Sequence, residues 1–213
     1  MAGGTDRACL ICESVVRGVS DFLSRCQYEL ATNSVERDLH AQRGGFCPLH
    51  TWQYIRIASS YGPCAAYSAA LREIGERLLA IAAEATSIGE LIVELKELPV
   101  AHPSCRACEI AAKAEEEALT GALANLMSAA STSDTAPFLC FTHLMALASR
   151  CPDLGAVRLL MEQHGEEFKL VAEDMGQYVV KRDAFQRDSV TDREREAPVR
   201  GLMLLVGHTE HIH

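Results

Sequence analysis

The chain has 213 residues, 48% of them apolar, enough to bury a core in one domain or two small ones, and this excludes a disordered chain. Lys and Arg total 20 against 29 Asp and Glu, a formal charge of -9 with no concentrated basic stretch, which excludes a nucleic-acid backbone or an anionic membrane as the main partner. The N-terminus MAGGTDRACLIC has neither the charged start nor the apolar run of a signal peptide, and no apolar run approaches the roughly 20 residues of a membrane span, so a cytoplasmic protein is expected.

In chain order, Val15, Val16, Val19, Phe22 and Leu23 recur at helical spacing after Cys12, and the pattern runs out near Thr32-Asn33-Ser34. A second helix is predicted from Cys47-Pro48, where proline suits a first turn, through Trp52 and Ile55 towards Tyr61-Gly62-Pro63. One long third helix is predicted to carry Leu71, Ile74, Leu78, Ile81, Ala85, Ile88, Leu91, Ile92 and Leu95 on a single face. The order then repeats: Cys105 to about Met127, Phe138 to Arg150, and Leu154 through Leu160, Phe168 and Val171 to Tyr178. Nothing alternates with period two, so the fold class is all-α.

The expected organisation is a first helical metal-binding repeat over 1–98, a connector at 99–104, a second repeat over 105–180, and a C-terminal segment over 181–213. In that last segment Lys181 to Pro198 reads as a charged, exposed tether and Gly201 to Gly207 (GLMLLVG) as an apolar closing helix.

The chemistry lies in the cysteines. Cys9 and Cys12 (ACLICE) match Cys105 and Cys108 (SCRACE), and Cys47 and His50 (GGFCPLH) match Cys140 and His143 (FLCFTH). The offsets are 96 residues for the first elements and 93 for the second, which reads as one unit written twice. Nine cysteines without an export signal point to metal or redox chemistry and not to a disulfide framework. Each half supplies three thiols and one imidazole at two-residue gaps, the ligand set of a closed tetrahedral Cys3His zinc site. The expected pairing is half by half: Cys9, Cys12, Cys47 and His50 on one ion; Cys105, Cys108, Cys140 and His143 on the other. Two zinc ions are the expected cofactors, with two iron–sulfur clusters as the alternative. A ligand pair at each helix start would bring helix N-termini to the metal, whose partial positive charge favours thiolate.

At about 1.5 Å per helical residue, Cys26 and Cys151 lie too far along their helices to serve as fourth ligands, and Cys64 reads as a core thiol. His208, His211 and His213 read as a solvated tail; His40, His102 and His164 as isolated surface or core residues; and Glu115-Glu116-Glu117 as a solvated helix face. No nucleophile or open metal position converges with paired carboxylates, so no catalytic residue is assigned.

The combination of CxxCE, GGFCPLH, SCRACE and FLCFTH, followed by long helices and a charged segment leading to LMLLVG, resembles an uncharacterised prokaryotic domain family with paired Cys-x-x-Cys and Phe-Cys-x-x-His motifs. The resemblance spans nearly the whole chain and implies no established activity. From the residues, three functions are open: a zinc-stabilised accessory or protein-interaction module, with a protein partner or a homo-oligomer as its target; an iron–sulfur electron-transfer or redox protein; and a thiolate-based enzyme or small-ligand binder.

Overall fold

A computed structural model describes residues 8–98, 104–129, 138–183 and 189–207. Among them are nine helices and no strand: α1 Leu10–Thr32, α2 Ser34–Gln42, α3 Pro48–Ile57, α4 Tyr61–Glu84, α5 Ile88–Lys96, α6 Arg106–Ala129, α7 Phe141–Arg150, α8 Leu154–Asp183 and α9 Asp192–Val206. The all-α expectation holds. His102, His208, His211, His213 and most of the 99–104 connector lie outside the described residues.

Two helices differ from the sequence reading. The polar stretch after Asn33 forms α2, capped by the Asn33 side chain, which accepts from the backbone N–H groups of Val35 and Glu36. The expected long third helix is two helices, broken at Ala85–Ser87. Ser87 Oγ accepts from Glu90 N at 3.2 Å, and the Glu90 carboxylate reaches back to Thr86 N at 2.9 Å, so a new N-terminus forms inside an unbroken apolar period.

The chain forms two compact units, and their divisions fall inside α1 and α6. One comprises the described residues up to 16 and those from 114 onward; the other comprises residues 17–113. In the first, Ile11 of α1 is buried with Leu119, Ala122 and Leu126 of α6, Leu144 and Leu147 of α7, and Leu160 of α8. In the second, Phe22, Leu23 and Cys26 of α1 share a core with Phe46, Tyr54, Ala66 and Ala107. There Phe46 meets Phe22 edge-on at 6.2 Å and Tyr54 at 5.6 Å.

The described residues of the segment expected as a tether are mostly helix. Thr191 and Glu194 form a capping box that starts α9, and charged side chains along it find partners on α8. Lys181 donates to Glu194 at 2.6 Å, Arg193 to Asp174 at 3.0 Å and Arg200 to Glu167 at 2.7 Å. Sequence charge alone read this stretch as exposed; these pairs hold α9 against α8. Ala197, Gly201 and Leu204 are buried, so GLMLLVG docks as the C-terminal half of this helix. A Cβ at Gly201 would sit 2.5 Å from Met175 Sδ, so any larger residue there would require the Met175 side chain to shift.

Candidate metal centres

All eight predicted ligand residues gather into two groups, within each of which the donor atoms lie within 4.8 Å of one another. The pairing differs from the sequence expectation. Cys9 and Cys12 stand with Cys140 and His143, while Cys47 and His50 stand with Cys105 and Cys108. The half-by-half pairing is therefore corrected to an exchanged one, and helix length supplies the reason. The 23 residues of α1 run about 35 Å at about 1.5 Å each, and the nine residues of α2 are too short to bring the chain back to Cys12. Each group lies wholly within one compact unit.

The local build is the same in both. Cys9 and Cys105 immediately precede α1 and α6, with Cys12 and Cys108 in the first turns. Cys47 and Cys140 are the N-caps of α3 and α7, with closely matching extended dihedrals (φ -62, ψ 164 and φ -72, ψ 164) and with His50 and His143 one turn on. Neither cap thiol bonds its own helix N-terminus; both face the cluster. Each leading cysteine carbonyl accepts the first-turn helical bond, as in Glu13 N to Cys9 O at 2.9 Å and Leu144 N to Cys140 O at 2.8 Å. Spacing of i and i+3 across that turn points both side chains of a pair the same way. Two helix N-termini thus converge on each thiol group, and their partial positive charge favours thiolate.

In the Cys9 centre, Nδ1 of His143 is 3.3 Å from Cys9 Sγ, 3.4 Å from Cys12 Sγ and 3.2 Å from Cys140 Sγ, and the sulfurs of Cys12 and Cys140 are 3.9 Å apart. In the Cys47 centre, Nδ1 of His50 is 3.1 Å from Cys47 Sγ and 3.4 Å from both Cys105 Sγ and Cys108 Sγ, and Cys47 and Cys108 are 3.7 Å apart. A zinc ion with bonds of about 2.3 Å to sulfur and about 2.0 Å to nitrogen sets tetrahedron edges of about 3.8 Å between sulfurs and about 3.5 Å from sulfur to nitrogen. The sulfur edges agree with that figure and the nitrogen edges are slightly shorter.

Crowding perturbs the donors. Hydrogen bonds from Cys12 and Cys140 hold the Cys9 thiol far below the usual thiol range, against the opposing effect of burial. Hydrogen bonds to Cys140 and Cys9 raise the His143 imidazole to about 10. The Cys9 shift favours thiolate at this centre, whereas burial, with hydrogen bonds to Cys47 and Cys105, pushes the Cys108 thiol of the other centre up to about 12.

Burial separates the centres. Cys9, Cys12, Cys140 and His143 are all buried, whereas Cys47 is half-buried and Cys108 exposed. The Cys9 centre also has a cover. Gly207, at the end of α9, has φ +82, and a Cβ there would lie 2.9 Å from Cys12 Sγ and 3.2 Å from Cys140 Sγ.

Glu115 is the residue that sequence reasoning missed. Read as part of a solvated run, it places Oε1 3.3 Å from Nε2 of His143, the ring nitrogen that faces away from the thiols. Only its neighbours in space distinguish it from Glu116, which pairs with Arg150 at 2.8 Å. The remaining cysteines lie outside both groups. Cys26 is buried, and burial raises its thiol to about 11. Cys151 is half-buried with its thiol 3.8 Å from Met127 Sδ. Cys64 is exposed in the first turn of α4, which corrects its reading as a core thiol. His164 is a satisfied core histidine: its Nε2 accepts from Leu139 N at 3.0 Å, and its Nδ1 is 2.8 Å from Leu160 O. No known protein family, curated protein or solved structure matches this chain.

Proposed function

We propose that the chain is a zinc-binding helical module in which two structural ions pin the helix starts and leave apolar helix faces for a protein partner or a second copy of the chain. The observation that carries the reading is the pair of four-donor groups, each three sulfurs and one Nδ1 at the edge lengths of a tetrahedron around a single ion. Four protein ligands fill a zinc coordination sphere and leave no position for a substrate, which favours a structural role. A polynuclear iron–sulfur cluster distributes its ligands over several irons and needs sulfurs spread more widely than these, so the geometry favours a mononuclear ion. None of the nine cysteines is in a disulfide, which fits a reducing compartment, and no helix among the described residues is long and apolar enough to cross a membrane.

Support for a partner surface comes from apolar side chains left uncovered. On α9, Val199, Leu202, Leu205 and Val206 are exposed, although Gly201 and Leu204 of the same turns are buried. On α4 and α5, Leu79, Ile88 and Val93 are exposed as well. Such strips are costly in water and mark association surfaces.

Metal analysis with absorption spectroscopy on anaerobically purified protein, combined with light scattering for the mass in solution, tests the reading. About two zinc ions per chain in a colourless preparation are expected. Visible charge-transfer bands with stoichiometric iron and sulfide would replace it with the electron-transfer function.

A further inference from the structure

The second unit contains a cavity of about 650 Å³ bounded by α3, α4 and the C-terminal ends of α2 and α5. That volume lies within the range of small-molecule sites, about 300–1,000 Å³. Its walls are mainly apolar and include three aromatic rings, of Phe46, Trp52 and Tyr67. Phe46 is buried and belongs to the floor, while Trp52, the single tryptophan of the chain, is 61% exposed at the mouth. An indole left this open beside a cavity is a large apolar surface without a partner in its own fold. A polar handle is also present: Thr51 Oγ1 donates to Phe46 O at 3.1 Å and lies 3.4 Å from the Tyr67 hydroxyl.

Charge narrows the ligand class. The cavity is lined by two carboxylates, Glu73 and Glu97, and one guanidinium, Arg77, none of which has an ion-pair partner among the described residues. Glu73 lies one helical turn from Arg77 on α4, and with Glu97 the carboxylates outnumber the guanidinium, so the lining carries a net negative charge. Aromatic faces attract cations through their ring quadrupoles, and the net charge of -9 opposes an anion.

We propose that this cavity binds a planar aromatic molecule carrying a positive charge, with its ring between Trp52 and the Phe46–Tyr67 floor and its cationic group towards Glu97. The site is independent of the metal reading, although α3 presents Cys47 and His50 to one and Thr51 and Trp52 to the other.

Three probes sharing one ring system test the proposal on the full chain as isolated: (2-naphthylmethyl)trimethylammonium, 2-naphthalenemethanol and 2-naphthoate. Affinity is read by calorimetry and contact by the single indole N–H signal of Trp52 in a nitrogen–proton correlation spectrum. The ammonium should bind tightest, about fivefold or more above the naphthoate, and should move the Trp52 signal. Ala70→Phe, which fills the cavity from α4, should abolish binding while the melting temperature stays close to that of the parent. Glu97→Gln, a rim change that leaves packing alone, should weaken the ammonium about threefold and leave the alcohol unchanged. Naphthoate binding as tightly as the ammonium, a Trp52 signal that stays put at saturation, or no measurable binding of any probe would overturn the proposal. Should Ala70→Phe fail to fold, the Glu97→Gln comparison decides: equal ammonium affinity in variant and parent sinks the assignment.

Discussion

The carboxylate of Glu115 lies 3.3 Å from Nε2 of His143, on the far side of the ring from the three sulfurs that surround Nδ1. A ring that ligates through Nδ1 carries its proton on Nε2, and an acceptor there fixes both tautomer and ring orientation. Glu115→Gln should therefore weaken metal binding at the Cys9 centre about tenfold and leave the Cys47 centre unchanged. Competition with a chromophoric chelator reads this as one ion released earlier than in the parent. Identical release curves would reduce Glu115 to a surface carboxylate.

The exchanged pairing makes a prediction that half-by-half pairing reverses. With metal bound, Cys140→Ser should leave Cys9 and Cys12 open to alkylation while Cys47, Cys105 and Cys108 stay protected. Peptide mapping after iodoacetamide treatment reads which thiols are labelled. Labelling of Cys105 and Cys108 in place of Cys9 and Cys12 would restore the consecutive pairing. In the parent, chelation should remove the ion of the Cys47 centre first, because Cys108 is exposed while every ligand of the Cys9 centre is buried.

The eight cysteine and histidine residues that gather into the two groups were legible as candidates because two-residue gaps on helix starts are a local pattern, and the repeat wrote it twice. Their pairing was not, since it depends on where α1 delivers the chain, and i to i+3 spacing carries no information about a partner about 130 residues away. The break between α4 and α5 was written as Ser87-x-x-Glu90, but the apolar period runs through it unchanged and masked the signal. Asn33, read only as the end of the first helical pattern, caps α2, which buries only His40, so hydrophobic periodicity could not find it. Glu194 shows the same limit on charge: a composition that reads as solvated becomes, with Lys181 and Thr191 in place, a buried helix start.

The end of α9 should tolerate only glycine. Gly207 combines φ +82 with ψ -179, a region open to almost no other residue, and the space where a side chain would stand is occupied by the sulfurs of Cys12 and Cys140. Gly207→Val should cost about 2 kcal/mol or more of stability and accelerate metal loss from the Cys9 centre. Leu205→Ser, on the exposed side of the same helix, should stay within about 0.5 kcal/mol of the parent in thermal unfolding. Equal effects from both would mean that α9 does not cover the centre.

His40 sets an acid dependence separable from that of the metal ligands. It is buried against Phe46 and Tyr67 with Nε2 unpartnered, and burial, helped by the charge of Arg106, lowers its imidazole to about 4. The unfolded chain takes up this proton near pH 6.5, and the folded chain only near pH 4. Between those values the unfolded state binds more protons, so stability falls as the pH drops through the window, by about 3 kcal/mol for this residue. Above pH 6.5 the residue is neutral in both states and the penalty is absent. His40→Phe keeps a ring of similar shape and removes both the titration and the unpartnered nitrogen. Unfolding free energies of parent and variant, each measured from pH 4 to pH 7.5, should diverge steadily below pH 6.5 in favour of the variant. Because metal loss at low pH affects both proteins alike, their difference isolates His40, and parallel curves would place its folded-state protonation at the ordinary value.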